Sequence, residues 1–142
     1  MLKPEDLYSE ACQGLRHYSN CVMQIRTVTI AQGFIVLTAA WFMIDNQHYE
    51  ACVGVAGLGL LLTLVLHTLH TNYGRHHQAL LEYATQLERA SPGGSGPWVT
   101  YIGPRERRFN GRFFKLIVFN GPVLLLMISL LGFIFAALTH LM

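Results

Sequence analysis

The sequence predicts an all-α membrane protein with three transmembrane helices, in which a first hairpin extends into a cytoplasmic helical stalk. Three long apolar runs without Lys, Arg, Asp or Glu cover residues 27–44, 51–73 and 123–142. Charged residues make up 13% of the 142 residues, about half of the share that is usual in soluble domains. Amphipathic helical patterns continue from the outer ends of the first two runs without a break. These observations place most of the polar chain on one side of a membrane.

The first two runs form the predicted hairpin, residues 26–73. Each is close to the ~20 residues that cross a bilayer core of ~30 Å. A helix of this length in water would need a polar face, which neither run has. A six-residue polar turn, 45–50, joins them.

The flanking segments predict two helices outside the bilayer, residues 1–25 and 74–90. Apolar residues recur there at steps of three and four, which is typical of one helix face. The two apolar stripes could bury on each other as a coiled-coil-like stalk, or each could pack on a neighbouring subunit. The first stripe consists of Leu7, Ala11, Gly14 or Leu15, Tyr18, Val22 and Ile25, and the second of Leu69, Tyr73, Leu80, Leu81, Ala84 and Leu87.

The C-terminal third is predicted as a flexible linker, a basic helix and a third span. Residues 91–103 are rich in Gly, Pro and Ser at their start, which predicts the linker. Residues 104–120 form a basic amphipathic helix suited to anionic headgroups. Residues 121–142 form the third transmembrane helix. Asn120, Gly121 and Pro122 interrupt the pattern and are a candidate gating hinge, or else a kink within one longer helix.

The distribution of basic residues predicts the orientation. Seven Lys or Arg residues lie between Gly74 and Lys115, and the hairpin turn has none. Because Lys and Arg concentrate in cytoplasmic loops, the N-terminus is expected in the cytoplasm and the C-terminus outside. In a bacterium this corresponds to the inner membrane.

Polar and small residues within the hairpin are the candidate functional positions. Polar intramembrane side chains usually face protein or water. Gln32 could bond across the hairpin or point into a pore, and small residues could pack helices within one chain or between subunits. The polar candidates are Thr29, Gln32, Thr38 and Thr63; the packing candidates are Cys52, Ala56 and Gly59.

Other candidate chemistry is limited. A basic stripe could hold lipid phosphates or a soluble anion such as a nucleotide, and it consists of Arg105, Arg108, Arg112 and Lys115. His67, His70 and His77 share a helix face, but no acidic or Cys ligand accompanies them. This favours an interfacial or interhelical role over a metal or haem site or a proton-sensing role. No motif of a catalytic nucleophile, a zinc protease or a nucleotide loop occurs, so we expect neither an enzyme nor a cofactor. Duplex nucleic acid is not an expected partner.

The layout resembles the SLATT-type group of small bacterial membrane proteins. The likeness rests on residues 7–25 leading into 27–44, and on 51–73 leading into 75–90. The chain is also similar in general layout to the RipA-type small oligomeric membrane proteins. The SLATT likeness implies a pore-forming effector in antiphage defence, triggered by the nucleotide signal of a partner enzyme.

The expected function is therefore a homo-oligomeric inner-membrane effector. It would form a pore or disrupt the membrane when a cytoplasmic signal acts on its stalk. The alternative is a structural or regulatory membrane subunit that docks a cytoplasmic partner and conducts nothing.

Overall fold

The structure is a computed structural model that describes residues 4–91, 96–99 and 120–142. Within these ranges it contains three long helices and no strand: α1 (Pro4–Asp45), α2 (Tyr49–Ala90) and α3 (Gly121–Leu141). All three helices are long and apolar enough to cross a membrane. The predicted helical class and the three candidate spans are confirmed, whereas the side of the membrane on which the stalk lies stays a prediction.

The first two helices are longer than a bilayer is thick. Each has 42 residues, which at ~1.5 Å per residue gives ~63 Å, about twice the hydrocarbon core. Only part of each helix can therefore lie in lipid.

The turn between α1 and α2 is tighter than the sequence suggests. Only residues 46–48 lie outside the helices, because Tyr49 and Glu50 already belong to the first turn of α2. The Gln47 N–H donates to the Ile44 carbonyl at 3.0 Å, and the His48 N–H donates to the Met43 carbonyl at 2.8 Å. This pair of bonds is the Schellman motif, which requires a left-handed residue after the helix. Gln47 takes that position with φ of 60°.

The chain divides into two compact units, of which the first is the helical-pair unit, residues 1–24 and 70–115. In its core the apolar stripes of α1 and α2 bury on each other, through Ala11 and Leu15 on one side and Leu81 and Ala84 on the other. A Cβ at Gly14 would lie 3.0 Å from Leu80 Cδ1, so the absence of a side chain there allows this close contact.

The second is the three-helix unit, residues 25–69 and 116–142. One buried cluster brings Ala40, Cys52 and Ala137 together, one residue from each helix. A second cluster packs Ala56 against Leu126 and Leu130. Both clusters use small residues on at least one helix, which lets backbones approach where lipid offers no hydrophobic driving force.

The outer surface of the three-helix unit is apolar. Phe34, Leu58 and Phe135 are each about 70% exposed, and many other large apolar side chains share this surface. A soluble monomer rarely exposes so much contiguous apolar area. This surface is suited to lipid.

Gln47→Gly should stabilise the hairpin. The left-handed conformation costs a residue with a Cβ ~1–2 kcal/mol, and this cost is absent for glycine. Glycine also loses more chain entropy on folding, so we expect a net gain of ~0.5–1 kcal/mol in the free energy of unfolding. Unfolding in mixed micelles of increasing SDS content, followed by circular dichroism, measures it.

His48→Gly is the matched control. Gln47 is the one described non-glycine residue with positive φ, so glycine at the neighbouring position relieves nothing. Equal stability changes in the two variants would contradict the role assigned to Gln47.

Candidate functional site

A buried polar contact joins α1 and α2 inside the three-helix unit. The Gln32 amide Nε2 donates to the Gly59 carbonyl at 3.2 Å, and the Thr63 hydroxyl approaches Gln32 Oε1 at 3.4 Å. The Thr63 hydroxyl also lies 2.7 Å from the Gly59 carbonyl. Gln32 and Thr63 are buried, so these groups find their partners within one chain. We call Gln32, Gly59 and Thr63 the polar contact.

The polar contact depends on close packing at Gly59. A Cβ built at Gly59 would overlap with Val36 Cγ1, and it would lie 3.2 Å from Val36 Cβ. The absence of a side chain therefore brings the Gly59 carbonyl within reach of Gln32. Cys52 and Ala56, the other predicted packing residues, are fully buried in the two core clusters.

The remaining predicted polar residues bond to their own helix. The Thr29 hydroxyl donates to the Ile25 carbonyl at 2.7 Å, and the Thr38 hydroxyl donates to the Phe34 carbonyl at 2.7 Å. Thr29 is buried and Thr38 is exposed. A threonine hydroxyl that donates to the carbonyl four residues earlier needs no further partner in lipid. Neither hydroxyl therefore takes part in the polar contact.

Helix α3 packs beside this pair through a second close contact. A Cβ at Gly33 would lie 2.9 Å from Leu126 Cδ2.

Asn120 occupies the N-cap position of α3 with no side-chain cap bond, and a proline follows in the first turn. Asn120 and Pro122 are exposed, and Gly121 is half-buried. Whether these three residues act as a hinge stays a prediction.

A buried carboxylate organises the helical-pair unit. Glu88 Oε1 accepts a hydrogen bond from the Tyr8 hydroxyl at 2.7 Å and one from the Trp98 N–H at 3.2 Å. Its Oε2 accepts from the Val99 N–H at 2.8 Å. Residues 97–99 are helical, and the first N–H groups of a helix have no partner within it. We call Tyr8, Glu88, Trp98 and Val99 the carboxylate clamp.

The clamp also leaves no room for a side chain at Gly96, shortly before Trp98. A Cβ at Gly96 would overlap with the Glu88 carboxylate. Burial, together with the bond to Glu88, raises the pKa of the Tyr8 hydroxyl, which therefore stays protonated and donates. Because the pKa is raised, this stabilisation is present at neutral pH and is lost only as alkaline pH ionises the hydroxyl.

Sequence reasoning missed the clamp, although a signal for it exists. Leu81, Ala84 and Glu88 follow one another at steps of three and four, so the apolar stripe of α2 ends on an acid. A carboxylate in the register of a buried face requires donors. The donors lie 80 residues away, in the case of Tyr8, or beyond a Gly-rich break, in the case of Trp98 and Val99, so they could not be identified from spacing.

The histidines are distributed over both units. His67 belongs to the three-helix unit, and His70, His76 and His77 belong to the helical-pair unit. The His76 ring stacks on Tyr18 with centroids 5.6 Å apart, and Tyr18 also contacts Tyr73. Among the described residues, no group of three or more His, Cys, Asp or Glu side chains could hold a metal ion.

The predicted basic stripe, Arg105, Arg108, Arg112 and Lys115, lies outside the described residues. The described candidate positions thus comprise a buried polar contact in one unit and a carboxylate clamp in the other.

Comparison of the chain with protein-family models, with curated proteins and with solved structures finds no match.

Gly59→Ala should weaken the pairing of α1 and α2. The added methyl group overlaps with Val36. Overpacking of this kind costs ~1–3 kcal/mol. The free energy of unfolding in SDS mixed micelles measures the loss.

Two variants control this experiment. Gly57→Ala lies on the same helix with nothing within 4 Å of its new Cβ, so its stability should be unchanged or slightly higher. Val36→Ala combined with Gly59→Ala removes the overlapping methyl group and should recover part of the loss. Equal effects of Gly59→Ala and Gly57→Ala would contradict the close contact.

Glu88→Gln should release Trp98 from the helical-pair unit. A glutamine has one acceptor oxygen, so its NH₂ group would face a backbone N–H, at a cost of ~1–3 kcal/mol. In a Trp41→Phe background Trp98 is the remaining tryptophan, because the chain has two. Its emission should shift to the red, and acrylamide should quench it more strongly.

Glu82→Gln makes the same change of charge at an exposed position of α2 and should leave Trp98 emission unchanged. A red shift of equal size in both variants would indicate a general charge effect and would contradict the clamp.

Proposed function

We propose that this chain is the subunit of a homo-oligomeric effector in the bacterial inner membrane. The assembly is sealed at rest, and it forms a pore or disrupts the membrane when a cytoplasmic signal acts on the helical-pair unit. The likeness to SLATT-type proteins makes antiphage defence its setting, with a nucleotide signal or a partner protein as trigger. The N-terminus and the helical-pair unit face the cytoplasm, as the excess of Lys and Arg between Gly74 and Lys115 indicates.

The observation that carries self-association is a pair of open glycines on the apolar surface. Gly54 on α2 and Gly132 on α3 are exposed, and a Cβ at either would meet nothing within 4 Å. Each has a second small, exposed residue three positions before it, Ala51 and Ser129. Small residues on a lipid-facing helix allow another helix to approach closely. Gly33 and Gly59 serve packing within the chain, whereas Gly54 and Gly132 are exposed and accessible to another copy.

The size of the protomer also favours an assembly. In the described part of the chain three helices pack on one another through buried clusters, and a protomer of this size is too small to enclose a channel alone. A conducting path would therefore have to run between copies.

The polar contact explains why the resting assembly would be sealed. Gln32 and Thr63 are buried and bonded to each other and to Gly59, so they present no polar face to a neighbouring copy. Opening would require the α1–α2 pairing to rearrange and turn these groups towards water. Interhelical bonds in membranes are worth only ~0.6–2 kcal/mol each, which a bound signal can supply.

The test combines oligomeric state with ion flux in liposomes that contain the purified full chain. Gly54→Leu and Gly132→Leu should lower the oligomeric state, since a large side chain blocks close approach. Gln32→Leu should raise flux without any signal, because it removes the bond that holds the hairpin closed. Thr38→Val is the control, since the Thr38 hydroxyl bonds only within its own helix turn. A monomeric chain, or one whose flux stays at the background of empty liposomes in Gln32→Leu, would overturn the effector.

The second candidate is a non-conducting structural or regulatory subunit that docks a cytoplasmic partner. The hydrogen bonds of Gln32 and Thr63 within the chain favour this candidate, because a subunit that conducts nothing needs no polar path for ions. It predicts an oligomer or a stoichiometric complex with a partner, and no flux from either the wild-type chain or Gln32→Leu.

A further inference from the structure

One contact in the helical-pair unit has no part in the proposed function. His17 and Cys21 lie four residues apart on α1, and His17 Nε2 is 3.7 Å from Cys21 Sγ. His17 is exposed and Cys21 is half-buried. Side chains at this spacing share one helix face.

The geometry of this pair matches that of two ligands on one zinc ion. Zinc binds thiolate sulfur at ~2.3 Å and imidazole nitrogen at ~2.0–2.1 Å in tetrahedral sites, which places the two ligand atoms ~3.6 Å apart. The observed 3.7 Å agrees with this value. Two ligands four residues apart on one helix are also the arrangement by which the zinc-protease helix holds its metal.

The His17–Cys21 pair is accessible to water, and its imidazole ring contacts a neighbouring aromatic ring. The exposed neighbours on this side of α1 are polar: Gln13, Asn20 and Gln24. The His17 ring meets the Tyr18 ring edge-on, with centroids 5.6 Å apart, and this contact limits its rotation. An oriented imidazole next to a thiol binds a metal ion with less loss of side-chain freedom than two mobile side chains.

We propose that His17 and Cys21 form one half of a binding site for a zinc-class divalent ion, and that the same pair from a second copy of the chain completes it. Two ligands leave half of a tetrahedral coordination sphere open. Among the described residues no third His, Cys, Asp or Glu is grouped with this pair, so the remaining ligands come from elsewhere. Two His and two Cys make a ligand set that zinc favours.

The site would couple metal binding to assembly. Cys21 binds as the thiolate, so each chain releases the thiol proton to solvent when the ion binds. The polar face around His17 offers little apolar area to bury, and a shared ion would supply the attraction that joins two helical-pair units. The proposal rests on the self-association in the proposed function.

Co²⁺ is the probe, because a tetrahedral thiolate site gives it visible absorption and a thiolate charge-transfer band in the near ultraviolet. The experiment titrates Co²⁺ into the reduced, purified full chain in detergent and measures the oligomeric state in parallel by light scattering. We expect one Co²⁺ for every two chains, with displacement by Zn²⁺. His17→Gln and Cys21→Ser should each lower the affinity by more than about 100-fold, since loss of even an outer partner of a metal ligand costs 10- to 100-fold.

The chain supplies its own controls. Cys12→Ser removes a half-buried thiol of the same helix, and His77→Gln removes a half-buried imidazole of α2; both should keep the cobalt spectrum. Absence of the thiolate band, its persistence in Cys21→Ser, or one ion per chain would each overturn the shared site. An oligomer without the band contradicts the metal site alone, whereas a monomer at all Co²⁺ concentrations contradicts the self-association as well.

Discussion

The need to satisfy polar groups inside lipid is the constraint on which the three-helix unit depends. A side chain amide in hydrocarbon must find a partner within the protein. Gln32 finds it in the Gly59 carbonyl on the other helix of the hairpin, at 3.2 Å. That bond requires the two backbones to lie close together, and Gly59 is the residue that allows it, because any side chain there would overlap with Val36. The polar group and the small residue are thus two parts of one contact, which fixes how α1 and α2 face each other in this unit.

The helical-pair unit is held together by a small apolar core and a buried carboxylate. Among its described residues the core is small, with four buried apolar side chains, so apolar area alone contributes little to its stability. Glu88 adds three hydrogen bonds from the Tyr8 side chain and from the backbone of Trp98 and Val99. Charge-assisted bonds to backbone N–H groups are among the stronger ones in proteins. The clamp therefore ties the chain beyond α2 to the pair of helices, and it brings Trp98 onto their core.

These two arrangements bear differently on function. The polar contact buries Gln32 and Thr63 inside the three-helix unit, whereas Gly54 and Gly132 are exposed there with open space beside them. The clamp lies near the start of the chain segment that carries most of the basic residues. In the clamp, Tyr8, Trp98 and Val99 are already hydrogen-bonded to Glu88. A signal that acts on the helical-pair unit would therefore have to replace these hydrogen bonds with others.

The sequence by itself determined the helical class and the three candidate spans, because twenty uncharged residues in a row have few alternatives to a membrane helix. It also determined the register of the stripes that bury on each other, since the 3.6-residue period fixes the face of a helix. Only the tertiary structure decided that Gln32 bonds across the hairpin rather than lying on an outer face, because that depends on which residue of α2 lies opposite. Only the tertiary structure paired Glu88 with Tyr8 and with the backbone at Trp98 and Val99. Such contacts join residues that are distant in the chain, and no periodic pattern records the distance between them.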